Sequence, residues 1–189
     1  FKGLTGYSFD IAKAKELLKK AGYPDGKGFP KTTLQINGGG GDKNILIAEV
    51  LQKMFKENLN IDLDIQTLPF SEHLENIYSG KPDMWRAGWS ADYPDPSTFL
   101  TLFYGKHVPA NSTEKSYINT FRYKNARFDS IFTLSFTEPN IAKRYEMLSR
   151  AEQVMLEDAP IMPIYYEDNY RLEQLNVRNF PENAMNYMD

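Results

Sequence analysis

Cysteine is absent from this 189-residue chain, tryptophan and histidine occur twice each, and no long apolar run is present. Each scarcity excludes something. Without cysteine there is no disulfide, no thiolate metal site and no cysteine nucleophile, although the compartment stays open. The two histidines, His73 and His107, fit no HxxxH spacing, and a zinc site would need carboxylates to complete its ligands. His73 is expected on a polar, solvated helix face. No stretch reaches the roughly 18 apolar residues of a membrane span, so none is expected in this fragment. Phe1 opens the chain without a signal-peptide pattern and without methionine, and we expect a processed or excised piece. Neither sign of charge dominates. A net charge of −3, well mixed, leaves no basic surface for nucleic acid or anionic membrane.

What is present is core-forming material. Hydrophobic residues make up 41% and aromatics 14%, which supports a packed globule over disorder. A chain of this length fits one domain or one lobe, and folding buries roughly 70% of its unfolded surface.

Local patterns alternate between strand and helix. Asp10 caps a helix over 10–21 with Ile11, Ala14, Leu18 and Ala21 as its apolar stripe and Gly22 as its stop. Tyr23-Pro24-Asp25-Gly26-Lys27-Gly28 is turn chemistry. A strand at Thr32–Ile36 and a glycine run at 38–41 precede a helix over 43–59, with Ile47, Val50, Leu51, Met54 and Phe55 inward. Ile61, Leu63 and Ile65 alternate with polar residues as in a half-buried strand. Ser71 is expected to cap a short helix through Ser79, and Met84–Trp89 to form a third strand. Such an order implies crossover connections and a largely parallel sheet. Beyond it we expect a short helix at 96–103 and a polar loop at 106–124. Helices near 126–136 and 140–157 follow, the second with Ile141, Tyr145, Leu148 and Met155 on one side. Ile161–Tyr166 reads as a strand, continued by Tyr170–Leu175.

The richest segment is Asp83-Met84-Trp85-Arg86-Ala87-Gly88-Trp89-Ser90-Ala91-Asp92-Tyr93-Pro94-Asp95-Pro96. Both tryptophans, an arginine and two aspartates stand together there, the groups that hold a small polar ligand at a strand end. On a strand, Trp85 and Trp89 share one face while Arg86 and Gly88 point to the other. A ligand wall is therefore expected. Asp92 reads equally as a turn residue or a ligand contact, and Asp95 as a cap for the helix at Pro96. With Glu167, these aspartates are also the carboxylates a glycosidase would pair. The glycine run lacks both GxxxxGK[ST] and GxGxxG, and Asp42 puts negative charge where a phosphate would sit, although Asp62 and Asp64 stand at a ribose-acid offset.

Four stretches together resemble the C-terminal lobe of the extracytoplasmic solute-binding proteins, family 5, of ABC importers, the oligopeptide- and dipeptide-binding type. They are Phe9-Asp10 with 12–26, the helix 43–59 with Asn60–Leu68, Arg86-Ala87-Gly88-Trp89 with Ala91-Asp92-Tyr93, and Ala159–Tyr166. The resemblance implies an α/β, periplasmic-binding-protein-like (type II) lobe, a mixed, mostly parallel sheet flanked by helices. Residues 1–167 would form the lobe, and 168–189 a tail returning to a missing N-terminal lobe and packing loosely or swapping onto another copy. By the same resemblance, short peptides are the ligands and an ABC permease the partner. The place of action would be periplasmic or cell-surface, with a lipid anchor as one option. No cofactor, metal or catalysis is implied.

Site roles carry over residue by residue. Asp92 would meet the peptide α-amino group, Gly88–Ser90 would pair with peptide backbone, and Trp89 would wall a side-chain pocket. Tyr166 would add a ring and a hydroxyl. Arg86 would pair with an acidic group or support Asp92. Glu75–Ser79 lacks the basic residue some oligopeptide binders carry, so recognition of a peptide C-terminus does not carry over. Alternative readings are an oligosaccharide, a metal chelate or another solute on the same fold, a signalling receptor, and a carboxylate-based hydrolase using Asp92 and Asp95.

Overall fold

The computed structural model describes residues 4, 6–39, 41–166, 172–174 and 176–178. Its first half is a βαβαβ unit: β1 (Thr32–Asn37), α2 (Lys43–Leu59), β2 (Leu63–Leu68), α3 (Phe70–Tyr78) and β3 (Met84–Trp85), preceded by α1 (Ile11–Lys20). The strands lie in the order β2-β1-β3 and all pair in parallel. The chain therefore steps from β1 out to β2, then back across β1 to β3. Right-handed crossovers in opposite directions place α2 and α3 on opposite faces of the sheet. The period of two in β1 serves both faces. Leu34 and Ile36 join Leu63 and Ala48 in a core with Leu51 and Phe55 of α2, whereas Gln35 points to α3 and bonds His73 and Asn76.

Local chemistry explains the element ends. Asp10 accepts from the Lys13 N–H and starts α1, whose stripe of Ile11, Ala14 and Leu18 is half-buried. A 3-10 turn at Pro24–Gly26 needs its last residue to be glycine. There φ is +73, and a Cβ would run into the Leu59 and Asn60 carbonyl oxygens. Asn60 ends α2 in the left-handed region. The inward stripe of α2 is buried Asn44 and Ala48 with half-buried Leu51 and Phe55, at helical spacing. Val50 lies off that stripe and is exposed, contrary to its expected inward place. Ser71 does not cap α3. The helix starts one residue earlier, after Pro69, without a side-chain cap.

The second half is a helical layer with its own core. α4 (Ser97–Leu100) runs into a 3-10 turn at Thr101–Phe103, and α5 (Ala126–Ser135) packs on α6 (Ile141–Asp158). Asn125 and Asn140 cap the long helices. Phe128 and Phe132, both completely buried, meet Leu148, Ala151, Val154 and Met155 of α6 and Leu100, Phe103 and Tyr104. Ile141, expected inward, projects into solvent from the first turn of α6. The polar stretch 106–124 is pinned from within. Buried Asn119 donates to the Tyr104 and Tyr123 carbonyls and accepts from the Tyr123 N–H. No strand forms at 161–166, because Pro163 removes a ladder donor inside the run and Pro160 stands just before it. Of Tyr170–Leu175 only 172–174 are described, without strand; the rest, with most of the tail at 168–189, lies outside the described residues.

Candidate functional site

Ligands of open parallel sheets bind beyond the carboxyl ends of the strands, where the direction of winding reverses. Here that point lies between β1 and β3. An open cleft of about 390 Å³ occupies it, lined by Asn37, Gly38, Gly39, Lys43, Asn44, Phe70, Arg86 and Tyr165. Arg86 donates from Nη1 to the Asn37 side-chain oxygen at 3.0 Å, bridging the two strand ends. The Lys43 ammonium sits 4.6 Å from the Tyr165 ring centroid. Gly39 adopts φ +95 as the chain leaves β1. Among the expected contacts only Arg86 lines this cleft; Trp89, Asp92 and Tyr166 do not.

The third strand is shorter than expected, and the reason is visible. Arg86 donates its N–H to the Gln35 carbonyl, as the next rung of a parallel ladder should. Its carbonyl would then accept from Asn37; instead it lies 3.0 Å from His73 Nε2. The ladder stops at that point. Residues 87–90 run on exposed, and among the described residues their backbone groups have no hydrogen-bond partner. His73 itself is 2% exposed, not solvated as expected, and burial pushes its pKa down, with the Arg86 charge acting in the same direction.

The tryptophans therefore part company. Trp85 stacks on Phe121 at 5.5 Å, and Phe121 stacks on Phe103 at 4.8 Å, so Trp85 belongs to the packing between the layers. Trp89 follows the end of strand alternation and is 52% exposed. They do not form the single wall expected of a strand running to Trp89.

Asp92 and Asp95 have different surroundings. Asp92 is exposed; its N–H donates to Thr98 Oγ1 and its carboxylate accepts from the same hydroxyl, both at 3.1 Å. Thr98 is completely buried, so this carboxylate is tethered from below. Asp95 accepts from the Ser97 N–H at 2.9 Å, the expected capping role. It also forms a two-pronged pair with Arg144 of α6, at 2.5 and 2.9 Å. The Arg144 guanidinium holds the Asp95 carboxyl well below the usual carboxylate range, against burial and with help from Ser97. A carboxylate so engaged is unsuited to acid–base exchange, which removes one of the two groups a hydrolase would need.

Other readings fail on geometry. Asp62 and Asp64 pair with Lys56 and Lys31 and flank the start of β2, whereas the glycine loop follows the end of β1, at the opposite edge of a parallel pair. They cannot serve a nucleotide held by that loop. No group of three or more potential metal ligands occurs among the described residues. None of their helices is long and apolar enough to cross a membrane. Tyr166 is 97% exposed on an irregular segment, while its neighbour Tyr165 lines the cleft. Tyr166 came from the family resemblance alone; Lys43, Phe70 and Asn37 carried no distinguishing motif beyond their places at element ends.

Residues 2–111 match the family described as bacterial extracellular solute-binding proteins, family 5 Middle. The chain belongs to this family. It is 34% identical over 172 residues to the periplasmic murein peptide-binding protein MppA of Escherichia coli (strain K12), covering 91% of this chain and 30% of that protein. It is 29% identical over 173 residues to the oligopeptide-binding protein OppA of Bacillus subtilis (strain 168), covering 89% and 30%. A crystal structure of the periplasmic oligopeptide-binding protein OppAIV of Borrelia burgdorferi superposes with a TM-score of 0.71 at 34% identity, covering 85% of this chain and 30% of that one. The binding protein DppA of Helicobacter pylori, in complex with the peptide STSA, gives 0.72 at 30% identity, covering 84% and 29%. The chain thus has the α/β fold of periplasmic peptide-binding proteins. It spans about 30% of the length of the curated relatives it matches.

Proposed function

We propose that this chain is a peptide-binding lobe of the extracytoplasmic receptor of an ABC-type peptide importer, and that it binds without catalysing a reaction. The observation that carries the reading is the exposed backbone of 87–90, just beyond β3 and Arg86, which has no hydrogen-bond partner among the described residues. In a family whose relatives are named for the peptides they bind, a peptide can add there as an extra strand. Backbone bonds read chain direction and length but not side-chain identity, which suits a receptor of broad range.

Asp92 takes the peptide α-amino group in this reading. Its tether to buried Thr98 fixes the carboxylate against the fold before a ligand arrives, so less ordering is needed on binding. Trp89 offers a partly exposed indole beside that strand, and Arg86 supplies positive charge at the cleft between the sheet ends. Gly88 and Ser90 contribute backbone, while Tyr166 meets ligand only after a second lobe closes over it. That second lobe, an ABC permease and a periplasmic or cell-surface location complete the proposal, with 168–189 returning toward the second lobe.

Calorimetric titration of the complete two-lobed protein with a set of tri- to pentapeptides, and in parallel with oligosaccharides, tests this. Heat of binding with peptides alone is expected. Saturable binding of sugars without peptides would overturn the ligand class while leaving the fold intact.

A further inference from the structure

A chain of directed hydrogen bonds leads from the surface to the point where β3 opens. Lys81 Nζ, which can only donate, bonds the Asn76 side-chain oxygen at 3.3 Å. Asn76 Nδ2 donates to Gln35 Oε1 at 3.0 Å. That leaves the Gln35 amide nitrogen facing His73 Nδ1 at 3.0 Å, with the His73 carbonyl as a second acceptor at 3.3 Å. At the far end His73 Nε2 lies 3.0 Å from the Arg86 carbonyl, which can only accept. A donor-only group at one end and an acceptor-only group at the other fix every orientation between them. Nδ1 must accept, and Nε2 must carry the proton. The imidazole is neutral.

A second proton has no place in this arrangement. An N–H at Nδ1 would oppose the Gln35 amide N–H. Turning Gln35 over would set its nitrogen against Asn76, and turning Asn76 over would set nitrogen against the Lys81 ammonium. Gln35 and His73 are each 2% exposed, so water does not readily mend the mismatch. The charged groups concerned are the Arg86 guanidinium beyond the strand end and Lys81 at the outer end. β1 presents the neutral Gln35, and α3 presents Asn76 and its own backbone. No carboxylate takes part in the chain of bonds that would stabilise an imidazolium.

We propose that His73 is a proton-sensitive positioning residue: neutral, it fits between the Gln35 amide and the Arg86 carbonyl and aims the ligand-facing segment 87–92; protonated, its Nδ1–H is driven off the Gln35 amide, and the displaced ring draws the Arg86 carbonyl and that segment with it. The ligand part rests on the peptide reading above; the mechanical part does not. Burial and the Arg86 charge lower the imidazole pKa from its ordinary 6.5, opposed by the bond to the Arg86 carbonyl. Its stabilising contribution is therefore complete above that pH and falls away as acidification proceeds toward the folded pKa. Peptide affinity should follow the same course, weakening in acid.

The test is nuclear magnetic resonance on the 189-residue chain, which needs no ligand. Long-range proton–nitrogen correlations at neutral pH should show His73 with its proton on Nε2. On acidification the backbone amides of 87–90 should shift with the same midpoint as the His73 ring, below 6.5. His107→Gln should leave that shift unchanged, and His73→Gln should abolish it. Should His73→Gln fail to fold, the wild-type tautomer and the shared midpoint decide alone. A proton on Nδ1 at neutral pH, or a ring that titrates while those amides stay still, would overturn the proposal. A chain that shows the coupled titration while the complete protein binds no peptide would instead sink the ligand reading and leave the coupling in place.

Discussion

Replacing Arg144 with methionine tests how the loop carrying Asp92 is held. The Asp95–Arg144 pair joins that loop to α6 through two bonds, and its side chains are only 20% and 22% exposed. Fully exposed ion pairs contribute about 0–1 kcal/mol, whereas hydrogen bonds to charged groups contribute roughly 1.5–3 kcal/mol. Partial hydration and the remaining Ser97 bond place the loss for Arg144→Met at the low end of the second range, about 1.5–2 kcal/mol. For a chain of this size that lowers Tm by roughly 3–8 °C. A double-mutant cycle with Asp95→Asn, read by urea unfolding, should give a coupling of about 1–2 kcal/mol near neutral pH. Because the folded carboxyl titrates far below its ordinary 3.8, the stabilisation is present above that value and fades as pH falls beneath it. The gap between wild type and Arg144→Met should therefore narrow in strong acid. A coupling below about 0.5 kcal/mol, or a gap that stays constant through the acid range, would refute the reasoning.

Asn119→Ala should cost about 1–3 kcal/mol by chemical unfolding, since it removes three hydrogen bonds and leaves the part-buried Tyr123 carbonyl and N–H without them, while the Tyr104 carbonyl keeps the His107 N–H. A loss no larger than at an exposed asparagine such as Asn111 would contradict that role. Acrylamide should quench Trp89 in a Trp85→Phe variant far more readily than Trp85 in a Trp89→Phe variant. Equal quenching would mean the stack on Phe121 does not persist in solution.

Much of the fold could be read from local signals. The helix at 43–59 and the two helices after 125 stand where periodicity put them, and alternation at Ile61–Ile65 marks a real strand region. What escaped was decided by contacts distant in sequence. Nothing near Met84–Trp89 shows that an imidazole from α3 will take the Arg86 carbonyl and end the ladder. His73 looks solvated on a helix whose neighbours are polar, yet Gln35 in the central strand supplies its buried partner. Asp95 was legible as a cap because Ser97 is two residues away, but Arg144 lies 49 residues on. At 161–166 the prolines were decisive, and alternating apolar residues concealed them. The family resemblance covered what such arguments could not, and residues 2–111 bear it out.

The central claim is that Asp92 receives a peptide's charged amino end. Its most direct test compares a free tripeptide with its N-acetylated form, titrated calorimetrically into the complete protein and into its Asp92→Asn variant. Acetylation should weaken wild-type binding by about 2–4 kcal/mol, roughly 30- to 1000-fold in Kd, and leave the variant almost indifferent. Equal wild-type affinity for the two peptides would contradict the account.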